Sequence, residues 1–490
     1  MPDAGCGAGG ELWYTFDMNA RNALFALLFA LVAFCLVSSA GAQKASPAPP
    51  LGWNSWDSYG LTIDEADFRA NAEVLREMQT YGWKYAVIDE GWYMTNPEAN
   101  GLVARQYVWD KNGLLIPAAN RFPSAANGAG FRPLADWVHK QGLKFGVHIV
   151  RGIPKQVVDA NLPIAGTSFH AADAADKTSP CPWDDGNWGV ADNAAGQAYY
   201  DSMFKLFAEW GLDFVKVDCI SNRPYRISEI KQIAAAIKKS GRRMVLSLSP
   251  GPTSLKNAAE VAEYADMWRI ADDHWDVWQA LRAADAAKPK PGESGEFPFG
   301  TRDAFDRLAK WFTYTGPGSW PDEDMLPFGH LGPKPGWGAE RESRLTHDEE
   351  RTEFALWAIA RSPLIIGSNL TQLDDFTKEL LSNQTILYMN QAATYSRPVD
   401  VATLGPGFEN VRVWRASVGE PGSRGYTEYF GFFNLDTRPA TVKTTWKVLG
   451  LDGAKHAALS AWDDSTTRES KEITVSLPPH GSQVYQVKFD

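Results

Sequence analysis

The sequence has no surplus of positive charge: 48 lysines and arginines stand against 59 aspartates and glutamates, for a net charge of −11. Nucleic acid is therefore not an expected partner, because binding phosphates requires a basic surface. Beyond the N-terminal segment there is no apolar run long enough to cross a bilayer. Cysteine is scarce, four residues in all, and Cys6 and Cys35 belong to that N-terminal segment. Cys181 and Cys219 remain; they either join as one disulfide in an oxidising compartment or stay as two buried thiols. No Gly-x-Gly-x-x-Gly turn follows the first apolar strand, which removes the dinucleotide fingerprint of an open doubly wound sheet. Histidines number eight, and only His148 falls at a strand end, whereas a metal-dependent barrel enzyme needs them there in pairs. Neither a catalytic metal nor a cofactor is expected.

What is present begins with an address. Asn22 to Val37 is apolar, preceded by Arg21 and followed by Ser38-Ser39-Ala40-Gly41-Ala42. That is a charged n-region, an h-region too short to span a membrane, and an Ala-x-Ala site, so cleavage is expected after Ala42. Residues 1–17 are acidic and lack this logic, which points to Met18 as the start. We read residues 1–42 as a leader with a signal peptide and 43–50 as a Pro/Ala-rich linker. The mature chain is expected to be exported, periplasmic or secreted, with no stable membrane span.

The rest has globular composition, 44% apolar and 22% charged, and is long enough for a large catalytic domain plus a smaller one. It is organised around Leu212 to Cys219, a buried strand carrying Lys216 and ending at Asp218. Alternation puts Phe214, Lys216 and Asp218 on one side. A lysine there needs an anionic or polar partner, since an unpaired buried charge is prohibitively costly. Seven more strands are predicted: Leu51 to Trp56, Tyr85 to Trp92, Lys144 to Val150, Arg243 to Ser249, Asp266 to Asp272, a weak one at Gly318 to Trp320, and Pro363 to Ser368. Helical stretches separate them; the first opens at Thr62-Ile63-Asp64-Glu65, which reads as a capping box, shows a stripe of Phe68, Ala72, Leu75 and Met78, and stops at Gly82. Residues 51–391 are thus expected to form a (β/α)8 TIM barrel. From about Ala392, alternating β-rich stretches at Val411 to Trp414, Thr427 to Phe433, Ala440 to Trp446 and Gln483 to Phe489 predict an antiparallel β-sandwich over 392–490.

The strand ends carry the chemistry. They read Trp53-Asn54-Ser55-Trp56, Asp89-Glu90-Gly91-Trp92, Lys216-Val217-Asp218, Trp268 to Asp273, and Trp320-Pro321-Asp322-Glu323-Asp324. In a barrel they converge on one mouth rich in carboxylates and tryptophans, with Lys216 and Arg269 to hold acids ionised. Carboxylate pairs and aromatic platforms are what glycosidic cleavage needs; most of the 20 tryptophans are accounted for as core. The acidic trio Asp322-Glu323-Asp324 has two other readings, a Ca²⁺ site or a solvated surface.

Taken in order, Pro50 to Trp56, Ile88 to Trp92, Gly142 to Gly146, Val215 to Asp218, Trp268 to Asp273, Trp320 to Leu326 and Ala355 to Leu364 resemble glycoside hydrolase family 27, the melibiase-type α-galactosidases. The resemblance runs from about residue 48 to 490. It implies a retaining, metal-independent exo-glycosidase releasing terminal α-D-galactose from oligo- or polysaccharides. It makes Asp218 the nucleophile and Asp273 the acid/base, four residues after the arginine of the Trp-Arg motif. Strand parity favours Asp273 over Asp272 as well, because Arg269, Ala271 and Asp273 share a face of an extended strand. Retention predicts the two carboxyls roughly 5–5.5 Å apart. The resemblance also implies Trp56 as the ring under the sugar, Asp89 and Glu90 as the grip on O4 and O6, Asp324 as a further sugar-facing acid, and the disulfide Cys181–Cys219.

Four positions depart from the family pattern. Glu90 replaces the usual second aspartate, and its extra methylene pushes a carboxylate about 1.3–1.5 Å further in. That crowds the hydroxymethyl of galactose and favours β-L-arabinopyranose, which lacks it. His148 stands where many members carry tyrosine. Ser249 stands near a missing glutamate by the sugar's C2, which leaves room for an N-acetylgalactosamine. Cys219 follows Asp218 directly, where the family cysteine lies two residues on. From a different class, a non-catalytic sugar-binding barrel is the rival; it expects a lost catalytic carboxylate, and both are present.

Overall fold

The computed structural model describes residues 45–98, 104–279, 298–332, 339–451, 456–463, 465–468 and 472–489. The leader at 1–42 and the first two linker residues lie outside these.

Eight strands form one parallel sheet: β1 Leu51–Asn54, β2 Tyr85–Ile88, β3 Lys144–Val150, β4 Phe214–Asp218, β5 Val245–Leu248, β6 Met267–Arg269, β7 Trp320–Asp322 and β8 Leu364–Ile366. Strands β1 to β7 pair in sequence order, and β8 pairs with the free side of β1. The two ends meet through Leu326, just past β7: its N–H donates to Ile365 O at 2.8 Å and its carbonyl accepts from Gly367 N–H at 3.0 Å. Between consecutive strands lie α1 Glu65–Glu77, α2 Arg132–Lys140, α3 Ala194–Trp210, α4 Ile227–Ser240, α5 Ala258–Tyr264, α6 Thr301–Trp311 and α7 His347–Ala360. This is the expected (β/α)8 barrel, including the weakly signalled seventh strand.

Helix α1 shows how the sequence sets these elements. Phe68, Ala72 and Leu75 are buried at helical spacing, and Gly82 takes φ +103° beyond its end, a conformation that costs glycine nothing. The predicted capping box is corrected. Residues 60–62 form a 3-10 turn in which the Thr62 hydroxyl donates to Tyr59 O. Asp64 is the cap instead, accepting the Asp67 N–H at 2.9 Å, a contact worth ~1 kcal/mol.

The barrel interior has its own small core of Tyr85, Val87, Phe214, Val245, Met267 and Trp320, distinct from the layer between sheet and helices. Tyr85 and Phe214 pack with rings 5.6 Å apart. Two strand glycines make room for them: a Cβ on Gly52 would lie 2.7 Å from that of Tyr85, and one on Gly146 2.8 Å from that of Phe214. This floor is closed by large side chains, and above it Lys216 and Asp218 point from β4 to the mouth at the strands' C-terminal ends.

Downstream, strands Tyr395–Val399, Val411–Val418, Thr427–Asn434, His456–Ser460, Thr466–Arg468 and Ser482–Phe489 build a six-stranded antiparallel sheet, and Ala440–Thr445 pairs with Glu472–Leu477 in a second. A separate core containing Val413, Phe430, Phe432, Val442, Trp446, Val475 and Val487 lies between them. This is the β-sandwich expected of the C-terminal region.

Candidate active site

Asp89 follows the end of β2 and is 2% exposed. Its Oδ2 accepts from Lys216 Nζ at 2.9 Å and from Asn54 Nδ2 at 2.8 Å, so β1, β2 and β4 are tied at one point. Burial opposes its charge, but His148, Lys216 and the Glu90 N–H hold its carboxyl far below the usual carboxylate range. The lysine expected to need an anionic or polar partner has an anionic one, and it is Asp89 rather than Asp218. Against its own desolvation, Asp89, Asp324 and Asp218 raise the Lys216 pKa.

Asp218 closes β4, with a side chain 19% exposed. Its Oδ2 lies 3.2 Å from Nε2 of His148, which is 1% exposed, and its Oδ1 accepts the Cys219 N–H. Burial works against ionisation here too, but the His148 hydrogen bond and charge, then Lys216 and the Cys219 N–H, lower its pKa. Burial likewise opposes charge on His148, yet Asp89 and Asp218 raise its pKa above the ordinary value. The histidine in the family's tyrosine position thus faces both acids.

The opposite wall comes from β6 and β7. Arg269, 3% exposed, donates to Asp324 Oδ2 at 2.6 Å, to Asp272 O at 2.7 Å and to Asp273 Oδ1 at 3.4 Å. Strand β6 stops at Arg269, so alternation along an extended strand does not decide which aspartate faces the site. The fold-back through the Asp272 carbonyl does. Asp272 itself turns to Arg223, while Asp273 presents a side chain 38% exposed. Desolvation at the mouth, then Asp324, Asp272 and Asp218, outweigh Arg269 and push the Asp273 pKa up to about 7.

The acidic trio is not a solvated surface: Asp322, Glu323 and Asp324 are 5%, 0% and 4% exposed. Glu323 pairs with Arg307 and Asp324 with Arg269. Asp324 holds φ +95°, an uncommon backbone for a residue with a Cβ, of the kind found where function over-determines geometry. It lies between the end of β7 and the closing contact at Leu326, and its Oδ2 also accepts the His274 N–H at 2.9 Å.

Glu90 comes next to Asp89, its side chain 16% exposed and its Oε1 3.7 Å from Arg105 Nη1. Burial, then Asp184 and Asp218, raise its pKa to about 7 in spite of His148 and Arg105. Trp56 stands half-buried past β1, its N–H donating to Asn54 Oδ1. Ser249, 2% exposed past β5, donates its backbone N–H to Val217 O and accepts at its carbonyl from the Ile220 and Ser221 N–H groups. Cys181 and Cys219 form a disulfide with Cα atoms 6.0 Å apart, which fixes the loop after β3 to the residue next to Asp218. Among the sequence-derived residues, Asp89, Glu90, His148, Lys216, Asp218, Arg269, Asp273 and Asp324 form one contiguous network. Sequence reasoning missed Asp57, Arg105 and Asp184. Asp57 is 1% exposed, and burial, then Asp324, raise its pKa well above the carboxylate range; its position directly after Trp56 was the available signal.

Two acids of opposite protonation tendency facing one mouth, with a floor closed to through-passage, suit the cleavage of a terminal glycosidic bond. Comparison with known proteins agrees. The sequence profile described as Alpha galactosidase A matches residues 183–392, and that of the Alpha galactosidase C-terminal beta sandwich domain matches 409–487. Alpha-galactosidase 2 of Arabidopsis thaliana is 26% identical over 443 residues, 89% of each chain. A GH27 β-L-arabinopyranosidase of known structure from Geobacillus stearothermophilus is 39% identical, with a TM-score of 0.80 over 91% of this chain and 97% of its own. A putative α-N-acetylgalactosaminidase from Bacillus halodurans is 37% identical, with a TM-score of 0.75 over 90% and 97% of the two chains. The chain belongs to glycoside hydrolase family 27 and is a glycosidase of the melibiase type.

Proposed function

We propose that the enzyme is a retaining exo-β-L-arabinopyranosidase with Asp218 as nucleophile and Asp273 as acid/base. Asp218, held ionised beside His148, attacks the anomeric carbon as Asp273 protonates the departing oxygen. A covalent glycosyl-enzyme results; Asp273 then takes a proton from the water that attacks the same carbon, and the bond to Asp218 breaks to return its carboxylate. A pKa of about 7 suits Asp273 to begin protonated and end as a base. Lys216, Asp89 and Asp324 bind and orient the sugar, with Trp56 beneath it.

The observation that carries the substrate is Glu90. It lies directly after Asp89 with a side chain 16% exposed; in this reading its extra methylene carries the carboxylate into the space that the hydroxymethyl of a hexose requires, and a pentopyranose of galactose configuration lacks that group. The 39% identity to an arabinopyranosidase supports the same reading; it stands beside 37% to a putative α-N-acetylgalactosaminidase and 26% to an α-galactosidase. Release of α-D-galactose is the second reading, favoured by relatives named for it that align over 89% of the chain. Export after cleavage at Ala42 is proposed from the sequence alone.

The test compares kcat/KM for aryl β-L-arabinopyranoside and aryl α-D-galactopyranoside on residues 43–490. A preference for the arabinoside of about tenfold or more is expected, the scale on which pocket shape discriminates one carbon substituent. A preference for galactoside would overturn the substrate reading. Separately, Asp218→Asn should abolish turnover of both with the fold intact; retained turnover would overturn the nucleophile.

A further inference from the structure

We propose that Arg105 is a positioning residue for Glu90: with Asp184 it fixes the Glu90 carboxylate in the sugar pocket and thereby sets pentose-over-hexose selectivity. This rests on the reading of Glu90 given above. A glutamate has one more side-chain torsion than an aspartate, so extra length excludes a substituent only while the carboxylate is held. Arg105 Nη1 lies 3.7 Å from Glu90 Oε1 and 3.6 Å from Asp184 Oδ2, bridging the two acids. Among the described residues it is the cation within ion-pair distance of Glu90, His148 acting on the same carboxylate from further off.

The bridge is anchored on both sides. Asp184 is 5% exposed, and its Oδ1 accepts the Gly186 N–H at 2.7 Å. Its loop is tethered by the Cys181–Cys219 disulfide beside Asp218, and by Arg151, 1% exposed, whose guanidinium donates to Ser179 O at 3.1 Å and to Cys219 O at 2.6 Å. Arg105 arrives from the loop after β2, next to the Tyr107–Met94 bridge. Loops after β2 and β3 thus meet over Glu90. Without the guanidinium, two neighbouring carboxylates repel, and Glu90 is free to swing out of the space it blocks.

The experiment is a double-mutant cycle on the full mature enzyme, using β-L-arabinopyranoside and α-D-galactopyranoside with the same aryl group. Wild type, Arg105→Ala, Glu90→Asp and the double variant are compared, with Arg105→Lys as the conservative control. Arg105→Ala should raise the galactoside-to-arabinoside ratio of kcat/KM about tenfold, should be largely reversed by Arg105→Lys, and should change the ratio less than about twofold in the Glu90→Asp background. A merely structural arginine would lower both substrates together and leave the ratio unmoved; that result overturns the proposal. So does an equal shift in both backgrounds, because Arg105 would then not act through Glu90. The wild-type ratio alone judges the substrate reading, so failure there is distinguishable from failure of the coupling.

Discussion

Asp218 and Asp273 face one mouth, yet His148 holds the first ionised while Asp324, Asp272 and Asp218 crowd the second towards its neutral form. The consequence is a bell-shaped profile. Activity requires Asp218 charged; against its burial, the hydrogen bond and charge of His148 lower its pKa, so the acid limb lies below the ordinary aspartate range. It also requires Asp273 protonated, so it falls as pH rises through about 7. Glu90, raised to about 7 as well, is the competing source of the alkaline limb. In Asp273→Ala, kcat/KM on an activated aryl glycoside should lose that limb; its persistence would assign the limb to Glu90. At this scale the sequence named the acids but not all their partners. Lys216 announced a buried counter-ion by its setting in an apolar strand, whereas its choice of Asp89 depends on the neighbouring strand. Arg105 and Asp184 lie in irregular loops, where no periodicity marks a side chain as inward-facing.

At the scale of elements, seven of the eight barrel strands were legible as short apolar runs bounded by turn residues, whereas the seventh, Trp320–Asp322, was signalled weakly and begins where the expected Gly318 to Trp320 ends. Their ends were not. Strand β6 stops at Arg269, since its last residues leave the ladder to carry the carbonyl and carboxylates around the guanidinium. In the C-terminal sheets, Glu472–Leu477 buries Ile473, Val475 and Leu477 in strict alternation, a signal present but short; Thr466–Arg468 carries no apolar residue to announce it. The disulfide-bearing loop makes a prediction of its own. Closing 38 residues should contribute about 3–4 kcal/mol through the unfolded state. A Cys181→Ser, Cys219→Ser double variant should lose about that much in denaturant titration. Its kcat/KM should stay within about threefold of wild type, because Arg151 still holds Ser179 O and Cys219 O. Collapse of activity with unchanged stability would show that the covalent link, not Arg151, positions the loop.

For the whole molecule, helix α7 is the joint. Of its 14 residues, 11 are buried, which no single amphipathic face explains; it is covered by the barrel on one side and by the C-terminal sheet on the other. The Ile359 side chain approaches Gly431, Thr352 Oγ1 donates to His480 O at 2.7 Å, and on α6 Phe305 packs with its ring 5.2 Å from that of Phe433. Each large apolar side chain so uncovered would cost about 1.5–3 kcal/mol. We therefore propose that 51–391 does not stand alone: a chain truncated after Gln391 should aggregate on size exclusion, and a monodisperse, active barrel would refute this.

A retaining mechanism requires a covalent bond between sugar and Asp218. Trapping with 2-deoxy-2-fluoro-β-L-arabinopyranosyl fluoride, followed by peptide mass spectrometry, tests it directly. The predicted result is one fluoroglycosyl adduct, on the peptide carrying Asp218, formed as activity is lost and released as it returns. An adduct on another carboxylate, or turnover with no adduct and an inverted anomeric product, would contradict it.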